Sequence, residues 1–266
     1  CLAWLTAMRA DAQMCHAPVL RDPYQSGFRL SFLYAHARFQ DVTQGDYQGL
    51  TAALAWHNPW LFTEVALPLY RLAQDGAEHI GLGDLALDAR VALLRDDEDR
   101  HAAGIELAMS LPTGDADHEL GMGHAMGMPG LWARWNPGNF AALVQVAYGF
   151  ALGEHEHGSH SGSDGAHADH DHSATSAARA TPRVNPMNTS ELEHAVSVSY
   201  RVHPAAALQI RWLGAVPFEA AGFGRQVAAP GLLLEAGHLD AALELQVPFV
   251  GDPFELKLQV ALGARF

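Results

Sequence analysis

The sequence predicts an all-β fold, a closed antiparallel β-barrel of about twelve strands set in a bacterial outer membrane. Three observations predict it. From Gly27 onward apolar residues recur at every second position, and most of the segments so defined reach the roughly 9 to 11 residues that a tilted strand needs to cross a bilayer. The connections between segments alternate between tight turns and longer loops, as in a barrel with one plain end and one elaborated end.

Composition is consistent with this. The chain has 266 residues, 49% of them hydrophobic, yet no apolar run is long enough for a spanning helix. Charged residues make up 17%, below the roughly 25% of soluble domains, and 30 acids against 16 bases give a formal charge of −14. Such a surface repels nucleic acid and attracts cations. Cys1 and Cys15 both lie near the start, so no disulfide framework holds the main body.

Residues 1–12 read as the remnant of a secretory signal, with an apolar stretch up to Met8 and a small-x-small site at Ala10, Asp11 and Ala12. Residues 13–26 follow as an N-terminal periplasmic segment, and residues 27–266 form the barrel. Cys15 follows Met14 rather than a small residue, so it reads as a lone thiol and not a lipid anchor.

Turn signals divide the barrel into twelve expected strands, roughly 27–39, 48–57, 60–71, 82–95, 101–112, 130–136, 140–152, 189–202, 206–218, 230–237, 240–249 and 254–266. The fourth opposes Leu85, Leu87, Ala89, Val91 and Leu93 to Asp84, Asp88 and Arg90. The fifth sets Ile105, Leu107, Met109 and Leu111 against Glu106 and Ser110. In the eighth, Leu192, Val196, Val198, Tyr200 and Val202 oppose Glu191, Glu193, Ser197, Ser199 and Arg201. The last reads Phe254, Leu256, Leu258, Val260, Leu262, Ala264 and Phe266 on an oily face, with Glu255, Lys257, Gln259 and Arg265 on a wet one.

Turns at 57–59, 96–100, 136–139, 203–205 and 237–239 are short and are expected in the periplasm. Connections 40–47, 72–81, 112–129, 153–188 and 219–229 are long and are expected outside the cell, with only 250–253 short on that side. Trp56, Trp60, Trp132 and Trp135 border two of the short turns, which puts four of the six tryptophans in one expected interfacial girdle. Twelve strands leave a narrow lumen, lined by Glu64, Asp84, Asp88, Arg90, Glu106, Glu191, Glu193, Arg201, Arg211, Glu244 and Lys257. Those charges either filter ions or hold the wall together. The terminal Phe266 is similar to the C-terminal signal read by the barrel-assembly machinery, although Ala264 departs from that pattern.

Two stretches, Gly81-Leu-Gly-Asp-Leu-Ala-Leu-Asp-Ala-Arg90 and Gly104-Ile-Glu-Leu-Ala-Met-Ser-Leu-Pro-Thr-Gly-Asp115, resemble the MetA-pathway phenol-degradation family of outer-membrane transporters. Strand order and spacing are compatible with it from Gly27 to Phe266. The resemblance implies transport of a small aromatic or apolar compound and carries over no catalytic motif.

The segment Glu154 to Ser173 holds six of the sixteen histidines, His155, His157, His160, His167, His170 and His172, with five acids among glycines and serines. Imidazoles with carboxylates suit Zn²⁺, Ni²⁺ or Cu²⁺, while thioethers select Cu(I). The neighbouring outer loop adds His118, His124, Met122, Met126 and Met128 as candidate ligands. A solvated spacer explains the histidine run without metal, and methionine as adaptable filler explains the second group.

No nucleophile elbow or convincing Ser/His pair marks an enzyme, and no cofactor is required. The residues therefore point to a channel or transporter for a small solute whose outer loops bind transition-metal ions. The alternatives are a surface metal-binding protein anchored by a closed barrel and a transporter of small aromatic compounds. Expected partners are outer-membrane lipid, the assembly machinery, and a small solute or metal ion.

Overall fold

The computed structural model describes residues 26–39, 45–74, 76–97, 100–152, 184, 187–218, 222, 224–251 and 254–266. The expected signal remnant (1–12) lies outside these residues, as do 13–25 and the histidine-rich stretch Glu154 to Ser173.

Strands follow one another in a meander: β1 (Gly27–Phe39), β2 (Gly45–His57), β3 (Leu61–Gln74), β4 (Ala77–Leu82), β5 (Leu85–Arg95), β6 (His101–Leu111) and β7 (Ala125–Trp135). The second half comprises β8 (Phe140–Leu152), β9 (Ser190–His203), β10 (Ala206–Pro217), β11 (Arg225–Ala236), β12 (Leu239–Val250) and β13 (Phe254–Arg265). Sequence neighbours pair antiparallel except β4 with β5, and β1 pairs with β13 from Arg29↔Arg265 to Phe39↔Phe254. The sheet is closed.

Both β4 and β5 pair with β3, against its upper and lower halves, so they are two pieces of one stave and the wall has twelve. Closure leaves no bare edge among the barrel strands, as hydrocarbon requires because it cannot solvate an unpaired N–H or C=O.

Alternation sorts the side chains. On β1, Phe28, Leu30, Phe32 and Tyr34 face outward at 38–52% exposure, while Arg29, Ser31, Leu33, Ala35 and Ala37 are buried in the lumen. Leu243, Leu245, Val247 and Phe249 repeat the outward band on β12. An apolar outer belt over a polar interior is the pattern of a membrane barrel, the reverse of a soluble one.

Strand boundaries depart from expectation where proline sits inside a stave. β7 begins at Ala125 rather than 130 and β11 at Arg225 rather than 230, so Pro129 and Pro230 are strand residues. Proline cannot donate to a ladder. Accordingly β7–β8 pairing skips from Gly127 to Gly130, and β11–β12 pairing skips from Ala228 to Gly231.

The expected loop 72–81 is a tall hairpin, with Gln74 opposite Ala77. At the start of β13 a register shift against Arg38 and Phe39 turns Phe254 into the lumen and Glu255 out, reversing the expected facing of both. Trp132 is corrected as well. It is buried against Ala92 and Ala102 in the lumen, leaving Trp56, Trp60 and Trp135 exposed near the short-turn end.

Candidate functional site: a chamber in the lumen

The break between β4 and β5 builds the site. Gly83 lets the wall close on the ring of Tyr70, because a Cβ there would lie 2.3 Å from that ring, and one at Gly81 would lie 2.9 Å from Leu120. Asp84 then turns inward, where its carboxylate accepts the backbone N–H groups of Gly114 (3.0 Å) and Met122 (2.7 Å). Thr113 bridges the same break, its Oγ1 donating to the Gly83 carbonyl and accepting from the Leu85 N–H at 2.9 Å.

The Gly81–Asp84 and Pro112–Asp115 motifs are thus docked on one another. Together they draw the connection between β6 and β7 inward over the barrel mouth. Leu120 is carried with it, buried among Tyr47, Tyr70, Leu72 and Val184.

Beneath Leu120 lies a chamber in the lumen. Its upper wall is largely apolar, formed by Ala66, Pro68, Tyr70, Met128 and Met187 with Asp84 and Ser110 among them. Glu64, Asp88 and Glu106 lie lower. Arg90 pairs with Asp88 at 2.8 Å and Glu106 at 3.4 Å, and Gln145 donates to Glu106 at 2.9 Å, closing a polar floor.

The opposite half of the lumen is filled. Arg225 binds Glu191 (2.7 Å) and Glu193 (3.2 Å), Arg211 binds Glu244 (3.1 Å), and Arg265 joins Glu235 to Asp240 beside Arg29. Leu33, Leu233, Ala242 and Ala261 pack between these groups. Lys257 lies over the rings of Tyr47 and Phe254, and Arg201 sits at a short turn with its guanidinium on the Pro204 carbonyl.

The candidate metal ligands are split. His118 bonds Asp115 at 2.6 Å and stacks on His79 with ring centroids 4.2 Å apart, on an exposed part of the connection. That hydrogen bond, the largest influence, holds the Asp115 carboxyl below the usual carboxylate range. Met122 and Met126 instead point inward with Met187, and Met128 packs against them. His155, His157, His160, His167, His170 and His172 lie outside the described residues. Among the described residues no three His, Cys, Asp or Glu side chains gather as a metal site.

Sequence reasoning missed Tyr70, Pro68, Leu120 and Met187 as lining, and Arg225 and Arg29 as lumen charges. Tyr70 and Pro68 could have been found on the inward register of β3. Arg225 was hidden because Pro230 appeared to start its strand.

A closed wall, an oily exterior and a chamber built from lumen side chains define an outer-membrane β-barrel of the channel fold. The sequence profile of the family described as "Putative MetA-pathway of phenol degradation" matches residues 16–175, more than half of the chain, and the chain belongs to that family.

The COG4313 outer membrane channel from Pseudomonas putida F1 has a similar structure, with a TM-score of 0.61 at 13% identity over 97% of this chain and 100% of that one. The NanC porin is similar with a TM-score of 0.51 at 9% identity, over 90% of this chain and 98% of that one. No curated protein matches by sequence.

Proposed function

We propose that the barrel is a passive channel for small apolar solutes, aromatic compounds among them, with the looped end outside the cell and the short turns in the periplasm. The observation that carries this reading is the chamber: a largely apolar upper wall under Leu120 above a floor of paired charges. Burial of a ring against Tyr70, Pro68 and the thioethers is favourable at roughly 25 cal/mol per Å². The family's description supports the aromatic class. The histidines and acids of Glu154 to Ser173 support capture of Zn²⁺, Ni²⁺ or Cu²⁺ on the outside, as an addition to solute passage.

Uptake of labelled phenol by cells bearing the barrel, the Leu120→Asp variant or no barrel tests the reading. Wild type should exceed the barrel-free cells several-fold, and the variant, with a charge in the roof, should fall towards them. Equal uptake by wild-type and barrel-free cells would overturn it.

A further inference from the structure

We infer that Met122, Met126, Met128 and Met187 form a thioether site for a soft monovalent metal ion, Cu(I) in nature, at the looped end of the lumen. The site shares Met128 and Met187 with the chamber wall, and it does not draw on the histidine run. Four of the chain's seven methionines meet here from three separate segments: the inward-folded connection, the start of β7 and the residues before β9.

Their positions are fixed from outside the cluster. The Met122 N–H is held by Asp84 at 2.7 Å, and Asn188, next to Met187, donates to Glu191 at 2.5 Å. Opposite lies Gly149, where a Cβ would meet Met126 Cε and Met128 Cγ both at 3.6 Å, and Glu191 Cγ at 3.5 Å. The four methionine side chains therefore pack in one cluster, which Met126 and Met128 bring beside the buried Glu191 side chain. Met126 is fully buried, and Met122 and Met187 are nearly so.

Thioether sulfur is a neutral, polarisable donor that selects Cu(I) and has little affinity for Zn²⁺. A monovalent ion held by neutral sulfurs also needs less charge compensation than a divalent one.

Silver(I), a redox-stable probe, tests the site on the full chain with Cys1→Ser and Cys15→Ser, so that no thiol competes. Titration calorimetry at pH 5, where imidazoles of pKa about 6.5 are mostly protonated, should show one tight equivalent of Ag⁺ and no Zn²⁺. Met126→Leu with Met187→Leu, a near-isosteric exchange, should weaken that equivalent at least tenfold while heat-modifiable gel mobility is kept.

In methyl-labelled methionine spectra of the parent chain, Ag⁺ should shift the four cluster signals and spare the other three. Absence of Ag⁺ binding at pH 5, unchanged binding by a folded double variant, or methyl shifts outside the cluster would each overturn the site and leave the methionines as packing.

Discussion

Arg225 shows how single residues hold this wall. Its side chain is fully buried between Glu191 and Glu193, so removing it strands two carboxylates away from water. Arg225→Ala should destabilise the folded barrel by about 3–5 kcal/mol, measured as a lower urea midpoint for loss of heat-modifiable mobility. Adding Glu191→Gln and Glu193→Gln should recover much of that loss.

Asp115 makes a different prediction, at an exposed position. Its folded pKa lies below the ordinary 3.8 because of His118, so its contribution to local order is complete above that value and is lost as pH falls through the lowered pKa. Carboxyl NMR should place its midpoint below 3.8 in wild type and near it in His118→Ala. The residue types of the lumen were legible because alternation assigns each side chain a face. The partners were not, because Arg225 to Glu191 and Arg211 to Glu244 each skip one stave, a relation that sequence spacing does not encode.

The β6–β7 connection and its anchor form the element on which the chamber depends. Asp84→Ala removes the acceptor for two backbone N–H groups and should release residues 112–124. Externally added protease should then cut there at least several-fold faster, with Asp84→Asn in between because one acceptor oxygen survives.

Gly104 makes the complementary case on β6. A Cβ there would lie 1.8 Å from the Val91 carbonyl, opposite a register shift between Ala92 and Leu94. Gly104→Ala should therefore sharply reduce the yield of heat-modifiable barrel, whereas Ala103→Gly should not. Strand positions were readable from period and turn signals to within a few residues, except where Pro129 and Pro230 imitate strand starts and where β4 lies in the stretch read as loop 72–81. The inward dip of 112–124 was not readable, since it depends on a contact between two motifs about thirty residues apart.

At the scale of the whole molecule, the short turns lie at one end of the wall with Gly27 and Arg265, and the longer connections lie at the other. The parity of connection lengths exposed this in the sequence, because a meander must return every second connection to the same end. The chamber was less legible. It lies where Ala66, Pro68 and Ala108 face the lumen, whereas Arg211, Arg225 and Arg265 with their carboxylate partners occupy the side of β9 to β13, a difference set by packing across staves.

Orientation is the claim on which the proposed solute entry and the proposed outer metal capture both rest. In the Cys1→Ser, Cys15→Ser background, Ala77→Cys places a thiol at the top of the β3–β4 hairpin and Asp97→Cys places one in the β5–β6 turn. A membrane-impermeant maleimide added to intact cells should label position 77 and spare 97, with both labelled after the outer membrane is opened. Labelling of 97 with 77 protected in intact cells would contradict the account.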